Sequence, residues 1–159
     1  MLGTLRVRPL NSEIASEARS TKIDRFGNPL SLRVSDGKGA PCRHCLREVP
    51  EGEGMILIGH SPFTRSGPFS EVGPIFICSE DCARYAALDR LPEVVRNRLV
   101  QLRAYSAEEE ILYDHSALLP GTEVGAALPS VFEDPGVAFV HLRSGLNSCF
   151  LCQVETSET

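Results

Sequence analysis

The chain has 159 residues, 42% of them apolar and 23% charged, with a net charge of −5 and a pI near 5.4. That length fits one domain with its own core, and an acidic balance without a lysine or arginine block disfavours general nucleic-acid binding. The longest apolar runs, 55–58 and 74–78, are strand-sized, so no membrane span is expected; the opening residues lack the apolar core of a signal peptide, and a cytoplasmic protein is the expectation.

Residues 4–10 alternate, Leu5, Val7 and Leu10 against Thr4, Arg6 and Arg8, and predict an opening strand. Asn11 and Ser12 cap a short helix through Arg19. A turn over 26–29, a strand over 30–35 and a turn over 36–39 lead to the first cysteines, and 55–59 is the next strand. The stretch 60–73, rich in Ser, Pro and Gly, reads as a mobile surface loop. Residues 75–78 follow as a buried strand. Ser79 caps a helix to about Asp89, and Pro92 opens another through about Leu99. Strands over 100–105 and 111–113 pair around a bend at 106–110. Thr122 caps a helix carrying Val124, Ala127, Leu128, Val131 and Phe132 on one stripe, kinked or split by Pro129. Residues 137–143 and 149–155 form a closing hairpin. The expected fold is α+β, one domain over 1–159 with an ordered core over about 4–155, a mainly antiparallel sheet and a few short helices.

Two short-spaced cysteine pairs stand out, Cys42 with Cys45 and Cys78 with Cys82. Four thiolates that converge on one soft cation form the ligand set of a structural zinc site. A knuckle, hairpin strands and a ligand-bearing helix starting at Ser79 make the expected site treble-clef-like. Arg43, Arg47 and Arg84 flank the ligands and offset the negative charge of a zinc tetrathiolate, while His44 is a second-choice ligand. In a reducing compartment such pairs serve as ligands or reactive thiols; in an exported chain the six cysteines would form three disulfides. Cys149 and Cys152 point to opposite faces of a strand and do not share an ion; Cys152 reads as core, and Cys149, near the turn, as a candidate reactive thiol.

His60 and His115 border loops and are expected in solvent. His141 shares a strand face with Val137, Phe139 and Arg143, the pattern of a core histidine or of a general base. Arg103 and Tyr105 share one face of their strand, as on a solvated surface. If the two strands lie together, Arg103, Tyr105, His141 and Arg143, joined by Arg43, line one cleft for a carboxylate or phosphate. No G-x-S-x-G elbow, phosphate-binding G-x-x-x-x-G-K loop or H-E-x-x-H motif is present, so no catalytic residue is assigned.

The string Ala40-Pro-Cys-Arg-His-Cys-Leu46, Gly73-Pro-Ile-Phe-Ile-Cys78, Leu102-Arg-Ala-Tyr105 and Val137-Ala-Phe-Val-His141 through Asn147-Ser-Cys-Phe150 resembles, in order and spacing, the bacterial domain-of-unknown-function 1203 family from about Thr4 to Glu155. The resemblance implies a single-domain cytoplasmic bacterial protein and supplies no activity. It implies that zinc belongs to a subset of members, that Cys42, Arg43, Arg103, His141 and Cys149 are the candidates for shared chemistry, and that Cys152 lies outside the pattern. The leading expectation is a small zinc-stabilised binding or accessory protein; the alternative is a small enzyme that uses Cys149 or His141 with Arg103 and Arg143 on an anionic metabolite.

Overall fold

The structure, a computed structural model, describes residues 5–157. Thr4, the first residue of the expected opening strand, lies outside them. The fold is α+β, one domain built on two antiparallel sheets. Strand β1 (Leu5–Arg8) leads to helix α1 (Ser12–Thr21), whose Asn11 cap accepts the Glu13 N–H as the sequence predicts. Strands β2 (Ser31–Val34), β3 (Gly54–His60) and β4 (Gly73–Cys78) form a three-stranded meander. A single-turn helix α2 (Glu93–Arg96) precedes β5 (Leu99–Tyr105), β6 (Ala117–Pro120), helix α3 (Gly121–Val131) and the hairpin β7 (Phe139–Ser144) and β8 (Phe150–Thr156). These make a five-stranded sheet in the order β1-β8-β7-β5-β6. None of the helices among the described residues is long and apolar enough to cross a membrane.

The alternation of β5 and β7 divides their sheet into two faces. Val100, Leu102, Ala104, Val140, Leu142 and Val154 are fully buried in one core with Val94 of α2 and with Val124 and Leu128 of α3. The opposite face carries the polar and aromatic residues of the same strands. A second core holds Ile56, Ile58, Ile75 and Ile77 of the small sheet against Ala15 and Ala18 of α1.

Several elements differ from the sequence expectation. Residues 79–89 form no helix. Their backbone groups bond outward instead: Ser79 N–H to Gly54, Tyr85 N–H to His44, and the Leu88 carbonyl to the Val7 N–H. A helix would have withdrawn those groups from β1 and the cysteine turn, leaving their partners unpaired. The third part of the treble-clef plan is therefore an irregular segment. The strand that follows β5 and pairs with it is β6, while residue 111 adds only a bridge to Tyr105. Helix α2 is shorter than expected, with Pro92 as its cap rather than its first residue. Helix α3 starts at Gly121, so Thr122 does not cap it, and Pro129 does not interrupt it. That proline stands in the last turn, where it forgoes its own bond to the Gly125 carbonyl and only two helical residues follow it.

Candidate metal centre and inter-sheet cleft

The first cysteine pair sits in a tight hairpin. Val49 N–H bonds to Ala40, Cys42 N–H to Arg47 and Leu46 N–H to Cys42, and Leu46 adopts a left-handed φ of 55° to close the turn. This knuckle docks on β4 through a bridge between Cys42 and Phe76 and the Arg43 N–H to the Phe76 carbonyl. Cys78 ends β4, and Cys82 follows in the irregular segment after it. The sulfur atoms of Cys42, Cys45, Cys78 and Cys82 all lie within 4.8 Å of one another. Cys42 Sγ is 3.9 Å from Cys82 Sγ, and Cys45 Sγ is 3.9 Å from Cys78 Sγ. A tetrahedral ion with metal–sulfur bonds of about 2.3 Å sets its sulfurs about 3.8 Å apart, so the four residues fit a metal site. All six cysteines are unbridged.

The surroundings of the sulfurs suit this role. Cys78 N–H points at Cys42 Sγ at 3.3 Å. Arg19 donates to Cys82 Sγ at 3.4 Å and, through Nε, to the Cys78 carbonyl at 3.0 Å. His44 Nδ1 is 3.2 Å from Cys82 Sγ, and its Nε2 is 2.8 Å from Ser12 Oγ. His44 is thus an outer partner of a ligand and lies outside the four-cysteine cluster. Among the thiols, hydrogen bonds from Cys45 and Cys78 draw Cys42 toward thiolate, whereas the bond to Cys42 holds Cys78 protonated. Burial, with Cys42 and Cys45 nearby, pushes Cys82 up to about 12.

Of the expected flanking arginines, Arg43 and Arg84 turn elsewhere: Arg84 to the Pro9 and Leu10 carbonyls, Arg43 to the Phe150 and Pro41 carbonyls at 2.7 Å each. Arg47 pairs with Glu53. Arg47 also interacts with Cys45 as expected, and it is joined at the sulfurs by the guanidinium of Arg19, from α1. Nothing in the sequence but its place in the last turn of a helix marks it.

The polar face of the large sheet is covered, not solvated. Register places Arg103 opposite His141 and Tyr105 opposite Phe139, so all four side chains leave one side. Tyr105 and His141 are fully buried. The His141 ring is ringed by Phe63, Tyr105, Phe139 and Phe150, with centroids 4.6–5.3 Å away. Its Nδ1 faces an Arg143 amino group at 3.4 Å, and burial followed by the Arg143 charge keeps the imidazole neutral, far below its ordinary range. Tyr105 Oη, His141 Nε2 and Arg143 Nε have no hydrogen-bond partner.

The cover is the irregular stretch 61–72 between β3 and β4. Phe63 packs on Tyr105 and His141. Glu109 accepts the Thr64 N–H at 2.8 Å and its hydroxyl at 2.6 Å. Glu71 bridges Arg103 at 2.6 Å and Arg143 at 3.2 Å.

Where this stretch, β4 and the β7–β8 turn meet, a cleft of about 210 Å³ is lined by His60, Glu71, Arg143, Cys149 and Phe150. Of the five expected ligand-binding residues only Arg143 opens onto it; Arg103 reaches it through Glu71, while Arg43, Tyr105 and His141 do not line it. His60, expected in solvent, is half-buried, and burial followed by Arg43 lowers it to about 4. His115 pairs with Asp134 at 2.7 Å. Cys149 is half-buried, and Cys152 is fully buried in the main core, with its thiol raised to about 12 by burial.

No curated protein and no solved structure matches this sequence. A family model described as a protein of unknown function, DUF1203, matches residues 39–156, which span the cysteine knuckle, both walls of the cleft and the closing hairpin, and the chain belongs to that family.

Proposed function

We propose that this is a small zinc-stabilised binding protein of the cytoplasm, in which the metal holds the fold and takes no part in chemistry. The observation that carries the reading is the sulfur geometry: four thiols from two distant segments converge at the spacing of a tetrahedral tetrathiolate. Thiolates are soft ligands, and a tetrahedral set of four suits zinc or an iron–sulfur centre. Zinc is the choice because a closed tetrahedral set of four cysteines is its usual structural site, and the outer contacts from Arg19, His44 and the Cys78 N–H support the sulfur charge. Four sulfur ligands leave zinc no open position for water, so the reading includes no metal-centred hydrolysis.

Metal analysis of the untagged protein tests it, beside a Cys45→Ser/Cys82→Ser variant. We expect about one equivalent of zinc in the parent and a marked fall in thermal stability in the variant, because structural zinc contributes folding free energy directly. Less than about half an equivalent, with unchanged stability in the variant, would sink the reading. Iron in place of zinc, with visible charge-transfer absorption, would overturn the choice of ion.

A further inference from the structure

The charges around the inter-sheet cleft do not balance. Arg43, Arg103 and Arg143 approach it, the first and last almost fully buried, and Glu71 is the one carboxylate they meet at ion-pair distance among the described residues. Arg43 is bonded to two carbonyls and meets no carboxylate within that distance. Arg143 is 4% exposed, lines the cleft, and keeps an unpartnered Nε. Buried guanidinium donors are normally paired, and a bidentate anion is their usual partner. The neighbouring histidines add no positive charge, since burial and the arginines hold His60 and His141 neutral. Glu71 differs from the arginines it bridges: its side chain is 46% exposed and it hangs on an irregular segment. Its carboxylate is open to solvent, so a competing anion can reach the pair.

Cys149 faces the same space. The turn before it puts Ser148 at a left-handed φ of 59°, with Ser148 N–H bonded to Ser144 and Ser144 N–H to Cys149, and so sets the half-buried thiol on the wall beside Arg143. The volume admits a molecule of a few heavy atoms, well below the size of nucleotide and cofactor pockets.

We propose that this cleft binds a small anion, a carboxylate or phosphate, on Arg143 by displacing Glu71, and that it holds the anion beside the Cys149 thiol. The site is separate from the metal, because none of the four clustered cysteines lines the cleft.

Iodoacetate and iodoacetamide distinguish binding from simple thiol exposure. In both, the Cys149 thiolate displaces iodide, an S–C bond replaces the C–I bond, and the thiol proton goes to solvent; only iodoacetate carries the carboxylate. Rates would be read at Cys149 by peptide mass spectrometry on the full, metal-loaded chain. We expect the iodoacetate-to-iodoacetamide ratio at Cys149 to exceed that of free glutathione by tenfold or more, with saturation in iodoacetate and protection by inorganic phosphate. Glu71→Gln, at an exposed position, should raise the ratio severalfold by removing the internal competitor, and Arg143→Gln should return it to the glutathione value. A ratio equal to that of glutathione in both the parent and Glu71→Gln overturns the proposal, whether or not Arg143→Gln folds. So does a raised ratio that never saturates, which would mark only the field of the arginines. A ratio that Glu71→Gln leaves unchanged or lowers removes the displacement.

Discussion

His60 gives the chain a specific weakness to acid. It is half-buried at the end of β3 with its ring 5.7 Å from that of Phe150, and burial, then Arg43, then Arg25, lower it from 6.5 to about 4. Glu71 lines the cleft on one side of it and Asp24 the small pocket on the other, yet neither carboxylate offsets the burial and the two cations. A base whose folded pKa is depressed binds its proton more readily when unfolded. The contribution of His60 to stability is therefore intact above pH 6.5 and is lost as pH falls from 6.5 toward 4, with no further loss below. At about 1.4 kcal/mol per pH unit, moving from pH 7.5 to 5 costs about 2 kcal/mol through this residue alone. His141 adds a loss of the same sign, because its imidazole is also held neutral.

The assay is urea unfolding followed by far-ultraviolet circular dichroism, since the chain has no tryptophan, at pH 7.5, 6 and 5, for the parent and His60→Gln. Carboxylates and sulfur ligands titrate in both proteins, so the difference between them isolates His60. The parent should lose about 2 kcal/mol more than the variant over that range, a midpoint shift on the order of 1 M urea. Parallel pH profiles would refute the reasoning. A variant that loses more than the parent on acidification would reverse its sign.

Two further outcomes follow from close contacts. A Cβ on Gly121 would stand 1.9 Å from the Val95 carbonyl oxygen and 2.9 Å from that of Arg98, both backbone atoms that cannot swing away; Gly121→Ala should cost about 3 kcal/mol, and an unchanged urea midpoint would show that α2 and α3 are not packed as described. Arg19→Gln should weaken metal binding by about 10- to 100-fold, because it removes the donor to Cys82 Sγ and the Cys78 carbonyl, and competition with a chromogenic chelator would detect no change if the arginine were only a surface partner of Asp81.

What the sequence disclosed and what it hid divide along a physical line. The short apolar runs of β3 and β4, the closing hairpin of β7 and β8, the Asn11 cap and the short cysteine spacings are local signals, and the structure has all of them. Residues 79–89 were misleading because Ser79 and the paired alanines at 86 and 87 satisfy local helix preferences, while the competing bonds to Gly54, His44 and Val7 come from far along the chain. Tyr105 and Arg103 read as a solvated face because the alternation tells which residues share a side, not what covers it. The cover, Phe63 and Glu71, lies in a stretch whose composition announces only a loop. Arg19 stands 63 residues from Cys82, and no spacing rule connects them.

The cysteine cluster sits in the smaller of the two cores. The five-stranded sheet has a core of its own, with α2 and α3 over one face. The smaller sheet has less: β2 is an edge strand whose Leu32 and Val34 are 71% and 68% exposed, and the core beneath β3 and β4 is completed by Leu10, two alanines of α1 and, from the cysteine knuckle itself, Ala40, Cys42 and Val49. Three strands under one helix are near the lower limit for independent stability. An ion gripped by residues 42–45 and 78–82 would close a long loop of chain at the end of this sheet, removing entropy from the unfolded state in the place where hydrophobic area is short. The same grip reaches the cleft. Arg43, between two of the sulfur residues, is bonded across to the Phe150 carbonyl on β8, so a fixed knuckle also fixes how the two sheets meet. Cys149 and Arg143 stand on one side of that junction, and His60 and Glu71 on the other. A metal held there would act on the cleft through position alone: none of the four clustered cysteines lines the cleft, so the ion would set how its walls meet without touching what it holds.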